Sequence, residues 1–356
     1  MRTHPTSTLA VNAKFLTEPM TGVQRFASEI CLQLKAMRPD TIFLCPPQPV
    51  HVQLAQDLAA QPVGRLRGHA WEQVELPWHL ARNNTPYLLN LANTAPILYP
   101  KNVITIHDLI YLRFPAWVSK KYYYFYKWMT PRIAARSKHI LTVSAFSKQE
   151  ITALLKVNER KVSVIHNAVS NRLVGKRSSA ALADYGKYVL SVASLDPRKN
   201  LARLVEAFQQ LPHQDLKLVV VGKKINSSFE IELNHDRIVH VENASDQELA
   251  DLYKNAALFV YPSLYEGFGI PPLEAMANAC PVVASSTSSL PEVLGDAAYY
   301  VDPTQSGSIR EAIVTVLSNP ALTKSLVERG KLQAKKYSWQ HSATALVDVL
   351  KNHLNV

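Results

Sequence analysis

The sequence predicts an α/β protein built from two doubly wound, Rossmann-like domains that face a central cleft. Three observations carry that expectation. The chain has 356 residues, more than one hydrophobic core of ordinary size organises, and a length that suits two domains. Short runs rich in Val, Ile and Leu alternate with stretches of helical spacing, as expected of parallel sheets with helices on both faces. The alternation also lapses once, near residue 170, and then starts again.

The first half opens on a strand expected over Leu9–Phe15, then a turn region ending at Gly22. Val23, Phe26, Ile30 and Leu34 recur at helical spacing in VQRFASEICLQLKAM. YLLNLA and VITIHDL read as strands, the second running straight into His107 and Asp108. An aromatic, basic helical segment follows. HILTVSAFSKQEI then reads as strand, serine-rich turn and helix, with Ser147 as the N-cap. VSVIHNAV closes the half, and NRLVGKRSSAALAD (171–184), which has no period, reads as the linker. In the second half YVLSVASL, LKLVVVG, RIVHVEN, ALFVYPS and PVVAS read as strands, with helices over NLARLVEAFQQL, DQELADLYKNA and PLEAMANA. The expected divisions are 1–172, 173–338 and a final segment, 339–356.

Hydrophobic residues make up 47% and charged residues 19%, a globular composition and not a disordered one. No apolar run approaches the roughly 18–20 residues that span a bilayer. The stretch MRTHPTSTLAVNAKFL lacks the apolar core and cleavage site of a secretion signal. Cys31, Cys45 and Cys280 have no ligand-like spacing and read as buried reduced thiols of a cytoplasmic protein. The net charge of +11 belongs wholly to residues 1–170, where 20 Lys and Arg face 9 Asp and Glu; the remainder holds 19 of each. A basic half suits nucleic acid, an anionic membrane surface or an acidic substrate. No recognised nucleic-acid module is present, and no GxGxxG follows a first strand, which argues against a nucleic-acid binder and a dinucleotide oxidoreductase.

The chemistry gathers in YEGFGIPPLEAMA, residues 265–277. The strand ALFVYPS delivers this loop to the carboxyl edge of its sheet, where open α/β sheets bind ligands. Gly267 and Gly269 permit positive φ and close backbone approach, and Pro271 and Pro272 preset a first helical turn whose dipole favours anions. Glu266 stands at the mouth of the loop and Glu274 in that first turn. Ionised carboxylates are strong acceptors for hydroxyls, so the loop suits a polyhydroxylated ligand that carries phosphate. Taken singly, each glutamate is as readily a solvated charge or a complement to the helix dipole.

EGFGIPPLEAMA followed by CPVVASSTSSLPEVLGDAAYYVDP resembles the signature of retaining glycosyltransferases of family four, which have the GT-B fold. The family's two glutamates, seven residues apart between them, match Glu266 and Glu274. VNAKFLTEPMTGVQRFASEI, HDL and SLDPRKN resemble other segments of its polysaccharide-assembly members, so the resemblance covers nearly the whole chain. It implies an acceptor-binding domain over 1–172, a nucleotide-sugar-binding domain over 173–338, and a last helix over 339–356 that crosses back to the first domain. It also implies that Arg198 and Lys199 clamp the nucleotide diphosphate, and that Glu274 accepts the ribose hydroxyls. Glu266 would contact the transferred sugar, with the N–H groups of Gly267, Phe268, Gly269 and Ile270 nearby. His107 would line the active site. Each has a plainer reading: a solvated basic turn for the cations, a structural ring for the histidine. Gly22 departs from the paired glycines common in this loop, which leaves its phosphate contact in doubt. Backbone around Val241 and the loop KKINSSF are the expected base-binding elements.

No DxD pair ends a strand, so no divalent metal and no cofactor is expected; the nucleotide-sugar is a co-substrate. The overall pattern is most like bacterial enzymes with mannose donors, which makes GDP-mannose the first expectation, with UDP-hexoses and deoxysugar donors open. The expected acceptor is a lipid-linked or other oligosaccharide. KKYYYFYKWMTPRIAARSK (120–138) sets Lys120, Lys121, Lys127, Trp128 and Arg132 among aromatic rings. Two readings stand for it: peripheral contact with the inner face of an anionic membrane, or a core helix with solvated cations.

Overall fold

Aliphatic runs without a helical period form the strands, because a parallel strand buried on both faces has no solvent side with which to alternate. In the computed structural model, which describes residues 9–83, 86–174, 185–223, 233, 235–354 and 356, thirteen strands, most of them such runs, form two all-parallel sheets. The chain divides into two compact units, residues 1–167 with 339–356, and residues 168–338.

The first sheet contains β1 (Leu9–Asn12), β2 (Ile42–Cys45), β3 (Gln61–Pro62), β4 (Tyr87–Asn90), β5 (Asn102–Thr105), β6 (His139–Thr142) and β7 (Val162–Val164), ordered β3-β2-β1-β4-β5-β6-β7. In this register Ala10 pairs with Ile42 on one side and Leu88 on the other. The chain winds from β1 out to β3 and returns to lay β4 on the opposite edge of β1. The loops after β1 and β4 therefore diverge, which is where such sheets open a crevice. The second sheet contains β8 (Tyr188–Val192), β9 (Lys217–Val221), β10 (Ile238–Val241), β11 (Leu258–Tyr261), β12 (Val282–Ser285) and β13 (Tyr299–Val301). Its order, β10-β9-β8-β11-β12-β13, puts the equivalent switch between β8 and β11.

Helices cover both sheets. In the first unit α1 (Gly22–Met37) buries Phe26, Ile30 and Leu34, the periodic positions of its sequence. Beyond several shorter helical segments come α2 (Lys120–Arg136) and α3 (Ala145–Leu155). The second unit holds α4 (Leu201–Gln209), α5 (Asp246–Asn255), α6 (Ile270–Ala277), α7 (Ser306–Ser318) and α8 (Pro320–Lys335). The last helix, α9 (Trp339–Leu354), belongs to the first unit. Its Trp339 ring meets Phe26 edge-on at 6.0 Å, and Ser342 Oγ donates to the carbonyl of His166 at 2.7 Å.

Two expectations shift. The first strand stops at Asn12, because the Asn12 side chain turns into a buried polar network and residues Lys14–Thr17 form a 3-10 turn. The cap of α3 is Ser144, not Ser147. Ser144 is extended and its hydroxyl accepts the Ser147 N–H at 3.0 Å, while the Ser147 hydroxyl donates to the His107 carbonyl. The three cysteines are buried and unbonded, with burial pushing the Cys45 thiol up to about 11. Of the linker expected at 171–184, residues 175–184 lie outside the described residues, as do residues 224–229 of KKINSSF. No helix among the described residues is long and apolar enough to cross a membrane.

Candidate active site

The switch between β8 and β11 holds the charged residues singled out in the sequence. After β8, Asp196 Oδ1 accepts the Arg198 N–H at 2.9 Å and turns Pro197–Lys199 into a single 3-10 turn. Asn200 follows in the left-handed region (φ 59°), and its Nδ2 donates to the carbonyls of Pro262 (3.0 Å) and Pro303 (2.7 Å). The Leu264 N–H donates to the Arg198 carbonyl at 2.8 Å. These bonds fasten the loop after β8 to the loop after β11, so Arg198 and Lys199 are held against Glu266.

Lys199 Nζ lies 2.5 Å from Glu266 Oε1 and donates to Tyr261 Oη at 2.8 Å. The same Oε1 accepts from Tyr261 Oη (2.9 Å) and Ser263 Oγ (2.5 Å). Oε2 has a different environment: the nearest cation shown is Arg198 Nη1, at 4.0 Å. Burial alone would raise the Glu266 pKa. The charges of Lys199 and Arg198, with hydrogen bonds from Lys199 and Ser263, more than offset it and hold the carboxyl at about 2. Burial and then Arg198 lower the Lys199 pKa against the pull of Glu266. The cluster thus sets two cations against the Glu266 carboxylate, with Oε1 saturated by three donors and Oε2 on the side of Arg198.

The loop then reaches α6 through Gly269, the residue capping that helix, at φ 94°. A Cβ there would meet Leu290 Cδ2 at 2.5 Å, so both backbone angle and space demand glycine. Gly267 is not among the positive-φ glycines; of the pair, only Gly269 uses its freedom that way. Pro271 and Pro272 sit in the first turn and carry no N–H, so that turn's anion-facing donors reduce to those of Gly269 and Ile270. Glu274 is buried on the same helix, and its Oε2 accepts from Tyr253 Oη at 2.9 Å.

In the first unit His107 lies two residues beyond β5 and is 7% exposed. Its Nε2 is 2.9 Å from the Leu91 carbonyl, its N–H donates to Asn93 Oδ1, and its ring meets Phe26 edge-on at 5.0 Å. A carbonyl only accepts, so Nε2 carries the proton and Nδ1 of the neutral ring is an acceptor. Burial lowers its pKa, against the opposing effects of Leu91 and Asp108, which favours that neutral form. Gly22 is the first residue of α1, whose cap residue Thr21 makes no side-chain cap bond. Val241 ends β10, and its carbonyl accepts the Gly222 N–H at 2.9 Å. Lys120, Lys121, Lys127, Trp128 and Arg132 are all exposed on α2.

Comparison with known proteins decides what this arrangement belongs to. The sequence profile of the glycosyl transferases group 1 matches residues 176–333, and that of glycosyltransferase family 4 matches residues 20–172. O-antigen chain mannosyltransferase B of Escherichia coli is 31% identical over 265 residues, 70% of each chain. The chain belongs to the family-four, group 1 glycosyltransferases. O-antigen chain mannosyltransferase RfbU of Salmonella typhimurium is 32% identical over 236 residues, 64% of each chain. Among solved structures, HepE of Anabaena, in complex with UDP and glucose, superposes with a TM-score of 0.75 at 15% identity, over 97% of this chain and 99% of that one. The two parallel-sheet units are those of the GT-B fold.

Sequence reasoning about this glycosyltransferase overlooked the residues that hold the two glutamates. Tyr261 and Ser263 fix Glu266, and Tyr253 fixes Glu274. One signal was available for Tyr261: a hydroxyl ending an otherwise apolar strand, five residues before Glu266. A second unforeseen feature is Glu72, fully buried in a π-helical turn, Trp71–Glu75. Its Oε1 accepts from Asn12 Nδ2 (2.9 Å) and Thr94 Oγ1 (2.8 Å), with Lys14 Nζ at 3.1 Å. Burial opposes ionisation there, but Lys14, His69, Thr94 and Asn12 hold the carboxyl at about 2. This network ties together the diverging loops after β1 and β4. Among the described residues no group of three or more His, Cys, Asp or Glu side chains is arranged to hold a metal.

Proposed function

We propose that this glycosyltransferase moves a mannosyl group from GDP-mannose to a lipid-linked oligosaccharide, with retention of anomeric configuration, in the assembly of a surface polysaccharide. The observation that carries the reading is the convergence of Arg198, Lys199 and Glu266 at the second unit's switch point, in a chain whose relatives at 31% and 32% identity are named O-antigen mannosyltransferases. Arg198 and Lys199 bring two cations together where a diphosphate would sit. That charge stabilises the leaving group as its negative charge grows, which is transition-state stabilisation without a metal. Glu266 Oε2 takes a hydroxyl of the transferred sugar, Glu274 the ribose hydroxyls, and the N–H groups of Gly269 and Ile270 a phosphate oxygen. Phe268 and Gly267 complete that loop, and the backbone at Val241 lies on the base side.

In this mechanism the acceptor hydroxyl attacks the face from which the diphosphate departs, and the departing phosphate oxygen takes its proton. The C–O bond to phosphate breaks as the C–O bond to the acceptor forms, and no second carboxylate acts as a base. His107, neutral with Nδ1 as acceptor, positions a hydroxyl in the first unit. The exposed cations of α2 place the protein on an anionic membrane surface, where a lipid-linked acceptor resides.

The test is nucleotide release. The purified protein is incubated with GDP-mannose, UDP-glucose, a UDP-hexosamine and a deoxysugar nucleotide singly, and products are read by mass spectrometry with Glu274→Ala as control. Release from GDP-mannose alone, lost in the variant and unaffected by EDTA, is the expected result. Release from a different donor replaces the sugar in this reading. Absence of release with acceptor added, and of any thermal shift from a nucleotide, refutes it.

A further inference from the structure

Glu72 is wholly buried, held in its ionised form, and unused by the mechanism above. Its turn, Trp71–Glu75, is π-helical, a rare geometry often found at functional sites. The network around it crosses the carboxyl edge of the first sheet, at the switch point where such sheets open a crevice. Asn12 ends β1 and Asn90 ends β4, and Asn12 Nδ2 donates to both Glu72 Oε1 and Asn90 Oδ1 at 2.9 Å. Thr94 and Lys14, from the loops that follow those strands, close on the same Glu72 oxygen. Oε2 is given to a different partner: it accepts from His69 Nδ1 at 3.3 Å.

Asn12, Lys14, Glu72, Asn90 and Thr94 are all buried, whereas the His69 side chain is 47% exposed. The segment that carries it is fixed on both sides. Trp71 Nε1 donates to the Val63 carbonyl at 2.7 Å, and the Glu75 carboxylate accepts the N–H groups of Arg65 and Leu66. The imidazole itself lies against the Phe125 ring of α2, with centroids 4.6 Å apart. A carboxylate only accepts, so Nδ1 carries the proton and Nε2 of the neutral ring is an acceptor. That nitrogen makes no hydrogen bond among the described residues. Lys14 already balances the Glu72 charge within the network. The second carboxylate oxygen therefore serves an exposed ring, to which it gives one tautomer and one direction.

An oriented lone pair at the crevice of the first sheet selects a ligand that has a proton to donate. Sugar hydroxyls do; a fully ionised phosphate does not, and it would also meet the charge of Glu72. We infer that His69 Nε2 accepts a hydrogen bond from a hydroxyl of the acceptor sugar, with Glu72 holding the ring for it. His69 is then an acceptor-binding residue, and Glu72 a positioning residue that acts through it. The inference rests on the transferase reading above and adds to it which side chain of the first unit grips the acceptor.

Because His69 is exposed, its replacements are expected to fold with melting temperatures near that of the parent. Three of them separate the roles of the two nitrogens. His69→Phe keeps a ring against Phe125 and removes both. His69→Asn retains an amide at the Nδ1 position, for Glu72, and nothing at Nε2. His69→Gln carries an acceptor oxygen to the Nε2 position and gives up the bond to Glu72. The probes are methyl α-D-mannopyranoside, methyl α-D-glucopyranoside and methyl N-acetyl-β-D-glucosaminide, titrated by saturation-transfer NMR. The expected result is binding of at least one glycoside to the parent, weakened about tenfold in His69→Phe and His69→Asn, as one lost hydrogen bond predicts, and less in His69→Gln. Equal binding by parent and His69→Asn, binding by His69→Gln no better than by His69→Asn, or none with any glycoside overturns the inference and leaves the ring a cap on Glu72. Thermal shift by GDP and UDP, a readout of the second unit, separates the two claims. A nucleotide shift without His69-dependent glycoside binding removes this inference alone. His69-dependent binding without a nucleotide shift removes the transferase reading alone.

Discussion

Lys199 Nζ and Glu266 Oε1 are 2.5 Å apart across 67 positions of sequence, in side chains that are almost wholly buried. Removing one partner of such a pair strands the other charge away from water, which destabilises by about 3–5 kcal/mol. Lys199→Met is therefore expected to lose stability on that scale, and Glu266→Gln somewhat less, since its amide still accepts from Ser263. The double variant should lose clearly less than the sum. Urea unfolding of all four proteins measures the coupling, and additivity within about 0.5 kcal/mol would show that the pair is not energetically joined.

The same carboxylate sets an acid limit. The Glu266 pKa stands at about 2 in the folded chain against an ordinary 4.5. A carboxylate depressed in the folded state contributes stability that is complete above its unfolded pKa and is lost as pH falls through the folded one. The loss should run from pH 4.5 down toward 2 and amount to roughly 3 kcal/mol. Glu72, also held at about 2, adds a second such slope in the first unit. Melting temperatures recorded across this range should flatten in Glu266→Gln and in Glu72→Gln separately. A wild-type profile with no slope there contradicts both assignments.

Gly269 joins a backbone angle closed to other residues with a contact closed to a Cβ. Gly269→Ala should cost about 1–3 kcal/mol from the angle, with more from Leu290. It should also displace the first turn of α6 and abolish nucleotide release. Adding Leu290→Ala relieves the clash but not the angle, so release should stay low. Full recovery in the double variant would mean that only space matters at this position.

Tyr253→Phe removes the hydroxyl that donates to Glu274 Oε2 and retains the ring, which meets Phe259 edge-on at 5.5 Å. The glutamate then loses its orientation but not its charge. KM for the donor should rise about tenfold while kcat changes less, as expected when a ground-state binding group is loosened. An equal fall in kcat with KM unchanged would place Tyr253 in the chemistry instead.

Why these tyrosines escaped the sequence reading is instructive beside what did not. β8, β9 and β11 (YVLSV, KLVVV and LFVY) are short and mostly apolar, as central strands buried on both faces tend to be, and such runs declare themselves. β3 has two residues, Gln61 and Pro62, both exposed, and exists only through pairing with β2; nothing local announces it. The loop with Glu266 and Glu274 was legible because glycine and proline betray a constrained backbone. The hydroxyl partners of those glutamates, 3 to 21 positions away, were not, since which nearby side chain a folded loop turns onto its carboxylate leaves no pattern in one sequence. The sequence marks Lys199 as a phosphate-facing cation, and nothing local announces that its ammonium also meets Glu266 and Tyr261. The side chain's chemistry was apparent in the sequence and its direction was not.

The outer face of α2 remains to be tested against the membrane. Tyr124 and Trp128 are 66% and 52% exposed, and the Arg132 guanidinium lies 4.6 Å from the centre of the Trp128 ring. A ring half in water beside fixed cations suits a headgroup interface, where each basic residue contributes about 1 kcal/mol toward anionic lipid. Lys120→Ala with Lys127→Ala should thus weaken sedimentation with phosphatidylglycerol vesicles by roughly 30-fold at low salt. Trp128→Ala should weaken it further in a manner that salt does not mimic, because its contribution is apolar. Neither exposed change should alter the stability to unfolding by more than about 0.5 kcal/mol. Equal binding of parent and variants, or equal binding to phosphatidylcholine vesicles, would assign these cations to solvent and leave α2 packed on the protein through Met129, Ile133 and Ala134, with Tyr123, Phe125 and Tyr126 partly buried beside them.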